Sequence, residues 1–160
     1  MEKFIGVKLI NATPMTRQAY NDFRGWALPA DENGDDEGYL VEYIDGGKPN
    51  TDRFDGYVSW SPKEVFEKAY RPVSGLNFGL ATEALKQGKS VSRAGWNGAN
   101  QFVYLLPGEK LADATGYGFG EYMGEPTFAD ALILRNAQNK LVAWVPSLGD
   151  LMADDWLIND

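Results

Sequence analysis

Lys89-Ser90-Val91-Ser92 and Gln101-Phe102-Val103-Tyr104-Leu105-Leu106 flank the segment Arg93-Ala94-Gly95-Trp96-Asn97-Gly98-Ala99-Asn100, and this run decides the fold. Each flank reads as a short strand, and the Gly/Asn-rich segment between them reads as a loop. A loop this short joins antiparallel neighbours, because a parallel pair needs a crossover of about a dozen residues or more. Upstream, Asn77 is placed to cap a helix whose apolar face is Phe78, Ala81, Ala84 and Leu85, with Gly88 ending it. Downstream, Ala129 to Arg135 and Leu141 to Trp144 read as strands joined by a turn at Gln138-Asn139. Pro146 to Met152 reads as a helical turn and Trp156 to Ile158 as a last strand. Pro107 to Pro126 is rich in Gly and Tyr, and no regular structure is predicted there.

The first half repeats the mixture on a smaller scale. A strand is predicted over Phe4 to Ile10, a helix over roughly Thr16 to Phe23 that stops near Gly25, and an acidic loop over Pro29 to Gly38. Tyr39 to Tyr43 and Gly56 to Trp60 look like paired strands around a turn-rich stretch. Ser61-Pro62-Lys63-Glu64 has the pattern of a capping box with Pro at the first helical position, opening a helix to about Tyr70. The fold class predicted is therefore α+β: two small units, 1–73 and 76–160, each a short antiparallel sheet with one or two short helices. Pro72 to Gly75 is too short for a flexible linker, so the halves are expected to pack together.

Composition removes several functions. The chain of 160 residues contains no histidine and no cysteine, which excludes Ser-His-Asp and Cys-His catalysis and zinc sites of the common kinds. Neither a cofactor nor a metal is expected. Net charge is −8, spread evenly: 9 basic and 13 acidic groups in residues 1–75, 6 and 10 in residues 76–160. Without a basic stripe, a nucleic-acid polymer is repelled, and an anionic ligand must be small and gripped locally. No apolar run approaches the roughly 20 residues of a membrane span. The N-terminus lacks the pattern of a signal peptide, and a cytosolic setting is expected.

Two segments could carry function. Ser92-Arg93-Ala94-Gly95-Trp96-Asn97-Gly98 offers a stacking indole, a planar cation and an amide on a backbone that glycines leave open. The plainer reading is a surface turn whose Trp96 plugs the core. In Trp144-Val145-Pro146-Ser147-Leu148-Gly149-Asp150, Ser147 sits at a helix start that suits an anion, and Asp150 is an acceptor for ribose hydroxyls. The plainer reading gives Ser147 and Asp150 to helix capping. Asp154-Asp155 suggests a catalytic carboxylate pair, but adjacent side chains diverge. The acidic run Asp31 to Glu37 lacks the EF-hand pattern and reads as a solvated loop. Tyr117, Phe119 and Tyr122 are candidates for covering a ligand or for packing at a subunit interface.

Taken in order, these segments resemble a phage protein family, Thoeris anti-defence two, over Leu76 to Ile158. The pieces are Asn77-Phe78-Gly79, Glu83 to Lys89, Arg93 to Gly98, Phe102-Val103-Tyr104, Trp144 to Ser147 and Asp150 to Trp156. The resemblance implies a sponge that binds cyclic ADP-ribose isomers, and in some members cyclic oligonucleotides, as a homotetramer with sites between subunits. It implies that Trp96 and Trp144 stack on adenine, converging across a subunit contact to sandwich it beside a guanidinium. Arg93 and Asn97 would meet phosphate or ribose, and Ser147 and Asp150 would hold polar groups. The chain departs from the family pattern at Leu148-Gly149, and the resemblance leaves the first half without a role. Rival readings are an enzyme cleaving such signals through Asp150, Asp154 or Glu83, and a structural or protein-binding phage module.

Overall fold

The computed structural model describes residues 1–115 and 128–159. The chain divides into two units, Met1–Arg71 and Pro72–Asp160, and each is built on its own antiparallel sheet, so the architecture is α+β.

The first unit contains β1 (Ile10–Pro14), α1 (Arg17–Arg24), β2 (Gly38–Tyr43), β3 (Tyr57–Pro62) and α2 (Lys63–Ala69), with β2 central in its three-stranded sheet. Helix α1 begins where the Thr16 hydroxyl accepts the Ala19 N–H and ends at Gly25, whose φ of 68° is the left-handed conformation glycine adopts without cost. Tyr20, Leu40 and Val58 form the core, with Met15, Phe23, Phe54 and Trp60 packed against them. The predicted strand at Phe4 to Ile10 lies further along the chain. Ile10 pairs with Tyr43, the last residue of β2, so residues before it run past the sheet, and Phe4 and Ile5 are exposed.

The capping box predicted at Ser61 does not form. Strand β3 continues through Pro62, with Ser61 opposite Tyr39 and Pro62 opposite Gly38. The first helical N–H, that of Lys63, is met instead by the Glu37 carbonyl at 3.0 Å. In the acidic loop, Glu32 pairs with Arg17, Glu37 with Lys63, and Asp36 accepts from Asn33. Among the described residues no group of three or more His, Cys, Asp or Glu is arranged to hold a metal ion.

The second unit contains α3 (Phe78–Lys86), β4 (Ser90–Arg93), β5 (Phe102–Leu106), α4 (Gly108–Thr115), β6 (Ala131–Arg135), β7 (Leu141–Ala143), α5 (Leu148–Leu151) and β8 (Trp156–Asn159). The sheet order is β7-β6-β5-β4-β8, so the last strand returns to lie beside the first. Asn77 caps α3 by accepting the Leu80 N–H at 3.0 Å. The helix buries Ala81, Ala84 and Leu85 against Val91, Val103 and Trp156, in a core that also holds Leu76 and Ala153. The outer edge of β8 is tied to the entering chain. Trp156 and Leu76 exchange backbone hydrogen bonds, and the Ile158 N–H donates to Val73.

This unit holds three helices among its described residues rather than one or two. Helix α4 occupies the first part of the stretch predicted to be irregular, where Glu109-Lys110-Leu111-Ala112 are good helix formers. The Asp130 carboxylate accepts the Gly108 N–H at 2.9 Å. Residues 116–127, including Tyr117, Phe119 and Tyr122, lie outside the described residues.

Candidate ligand-binding site

The site is assembled where β4 hands the chain to β5, and its keystone is a four-residue helix. A helix that short does not persist on its own propagation energy. Here the Ser147 hydroxyl accepts the Asp150 N–H at 3.2 Å, and Asp150 Oδ2 accepts the Ser147 N–H at 2.9 Å. The Ser147 hydroxyl also donates to that oxygen at 2.7 Å. This reciprocal box fixes α5 and aims the second carboxylate oxygen of Asp150 at the loop after β4.

Asp150 Oδ1 accepts from Arg93 Nη1 at 2.9 Å and from the Trp96 indole N–H at 3.1 Å. Its backbone carbonyl accepts the Trp156 indole N–H at 3.0 Å. Burial opposes the charge on Asp150, which is 7% exposed. The bonds from Ser147, Arg93 and Trp96 outweigh it, and the carboxyl is held down at about 2. The Arg93 Nε donates to Asp155 Oδ1 at 2.8 Å, while the other Asp155 oxygen accepts the Gly95 N–H at 2.8 Å. Arg93 beside it lowers the Asp155 carboxyl, and the same pairing raises Arg93. At the far end of the loop, Arg135 donates to the carbonyl of Asn100, a non-glycine residue held at φ 56°.

The indoles of Trp96 and Trp144 converge, but on each other. Their centroids lie 6.1 Å apart at 68°, and each packs edge to face on buried Trp156. A flat ring held between two indoles needs parallel faces about 7 Å apart. The sandwich expected between these two rings is therefore absent within the subunit. Instead, Trp96 and Trp144 present half-buried surfaces to a shallow cleft of about 450 Å³, lined further by Asn97, Gly98, Gln101 and Leu134.

The predicted residues thus separate into two groups. Trp96, Asn97 and Trp144 face the cleft. Arg93, Ser147 and Asp150 bind one another or the loop, so the capping reading describes Ser147 and Asp150 in this structure. For Arg93, the Nη2 nitrogen has no hydrogen bond among the described residues. Asp155, one of the adjacent carboxylates Asp154-Asp155, is a partner of Arg93. Gln101, Leu134 and Arg135 escaped the sequence reading. A strand start and a strand end carry no local mark of which loop they will face.

A family model for the Thoeris anti-defense 2-like domain matches residues 76–158, just over half of the chain. The chain belongs to this family. Thoeris anti-defense 2 of Bacillus phage SP01 is 49% identical over 81 residues, which is 51% of this chain and 91% of that protein. The Thoeris anti-defense 2-like domain therefore coincides with the second unit and contains the whole network around Asp150. Residues 1–71 lie outside the match.

Proposed function

We propose that the Thoeris anti-defense 2-like domain acts for a phage against bacterial immunity by binding a cyclic ADP-ribose isomer and holding it without turnover. Cyclic oligonucleotides are a second ligand class open to the same site. The observation that carries this reading is the cleft itself: two indole surfaces beside two carboxamides, with no charged residue in its lining. Its volume falls within the range of small-molecule sites, roughly 300–1,000 Å³. Base stacking on an indole contributes about 1–3 kcal/mol. Arg93 Nη2, without a hydrogen bond among the described residues, is the charge-assisted donor proposed for a phosphate oxygen.

Binding without chemistry is supported by the state of the carboxylates. A general acid works best with a pKa near the working pH. Asp150 is held at about 2, and both its oxygens are engaged. A second copy of the chain would complete the enclosure, and exposed apolar residues in and around α5 suit a homo-oligomer, a tetramer by analogy with the family. Val145, Leu148 and Met152 are 84%, 75% and 75% exposed, more apolar surface than a solitary subunit gains from displaying. No helix among the described residues is long and apolar enough to cross a membrane. The place of action proposed is the host cytosol, where the signal would be captured.

The test is recovery. Purified protein is incubated with a panel of cyclic ADP-ribose isomers and cyclic oligonucleotides, separated from free ligand, and heat-denatured. Intact nucleotide in the released fraction is the expected result. Release of cleaved nucleotide would sink the non-enzymatic reading, and capture of nothing from the panel would sink the ligand class.

A further inference from the structure

Gly98 has no backbone reason to be glycine. Its φ is not in the left-handed region, unlike Gly25 or Gly88. The reason lies in a neighbour: a Cβ on residue 98 would stand 2.2 Å from the Gln101 Nε2 and 2.3 Å from its Cδ. The terminal carboxamide of Gln101 therefore occupies the space that any larger residue at 98 would fill, and it is seated there on the wall of the cleft.

Gln101 is half-buried, and its carboxamide makes no hydrogen bond among the described residues. It carries two N–H donors and one carbonyl acceptor. Its donors and acceptor are therefore uncommitted within the protein and open to a bound molecule that supplies the complement. Trp96 and Trp144 line the same cleft and suit a flat ring, whose edge the carboxamide can meet. A carboxamide matches a ring edge that places a donor next to an acceptor, as the 6-amino group and N7 of adenine do. On that same edge a 6-oxo purine presents two acceptors, O6 and N7, and leaves the Gln101 carbonyl facing a lone pair.

We propose that Gln101 is a specificity-determining residue of the cleft, seated by Gly98, and that it selects a 6-amino purine over a 6-oxo purine. The inference rests on the binding function proposed above. It adds the part of the ligand that is read and the residue that reads it.

The experiment uses the full chain, a cyclic ADP-ribose isomer joined ribose to ribose so that its adenine edge is free, and the deaminated 6-oxo counterpart of that isomer. Calorimetric titration of the unmodified protein is expected to show at least roughly tenfold tighter binding of the amino form. Gln101→Met keeps the side chain's length and removes its hydrogen bonds; it should lower affinity for the amino form and bring the two ligands to within about twofold. Gly98→Ala leaves Gln101 in the sequence but displaces its carboxamide, and because the displaced atoms end a flexible side chain the fold survives. The same loss of discrimination is expected there. Equal binding of both ligands by the unmodified protein, or undiminished discrimination in Gln101→Met, overturns the assignment while leaving the parent function standing. Binding of neither ligand by the unmodified protein overturns both.

Discussion

The Trp96 indole N–H donates to the Asp150 carboxylate at 3.1 Å, so a cleft-facing aromatic ring takes its orientation from a helix-capping residue 54 positions along the chain. The same carboxylate caps α5 and holds Arg93. Cap, cation and stacking surface are one mechanical unit, and a change in any of them propagates to the others.

This makes stability depend on acid in a defined window. The Asp150 carboxyl is depressed from 3.8 to about 2 on folding. A depressed carboxyl contributes stability that is fully present above its unfolded value and is lost as pH falls through the folded one. The corresponding contribution is about 2 kcal/mol. Asp150→Asn should therefore unfold more readily than the unmodified protein at pH 7, and the gap between them should narrow from pH 4 toward pH 2. Denaturant titrations across that range measure it, and a gap independent of pH would contradict the carboxylate's role.

The three indoles should separate into two classes. Trp156 is fully buried and makes the central ring contacts, so Trp156→Ala is expected to cost about 3–5 kcal/mol and to destroy the second unit's fold. Trp144 is only half-buried, and Trp144→Ala should weaken ligand binding by roughly tenfold or more while the thermal transition survives. Calorimetric binding beside thermal unfolding distinguishes the two. Intact binding in Trp144→Ala would remove that ring from the site.

Arg93 should not tolerate a conservative exchange. Its guanidinium spans Asp155 with Nε and Asp150 with Nη1, two directions that a single ammonium cannot serve at once. Arg93→Lys is expected to lose about 1–2 kcal/mol of stability despite the retained charge. It should also weaken ligand binding, because the Trp96 loop is then held by fewer partners. A lysine variant with unchanged denaturant midpoint and affinity would show that charge alone suffices.

What could be read in advance follows from the range of each interaction. The caps at Thr16, Asn77 and Ser147 bond to residues three positions away, and their chemistry is local, so the helices they start were legible. Strands β2 to β5 were legible from composition and turns. The start of β1 was not, because Phe4 to Ile10 has a strand's composition and only pairing with β2 decides where the sheet stops. Ser61 failed for the same reason: register with Tyr39 overrode a good capping pattern. At the site, Trp96, Asn97 and Trp144 stand out by residue type, and they line one cleft. The Arg93 partners lie 57 and 62 positions downstream, and nothing near it in the chain indicates that its Nε and Nη1 are already committed.

The hydrogen bonds from Ile158 to Val73 and between Trp156 and Leu76 bear on any attempt to dissect the chain. A fragment begun at Pro72 keeps this border sealed, whereas one begun at Phe78 strips it and bares the peptide groups of a terminal strand to solvent. Such a rim is a template for strand addition by other molecules. The shorter excision would thus report on self-association created by the cut, and the longer one on the native domain.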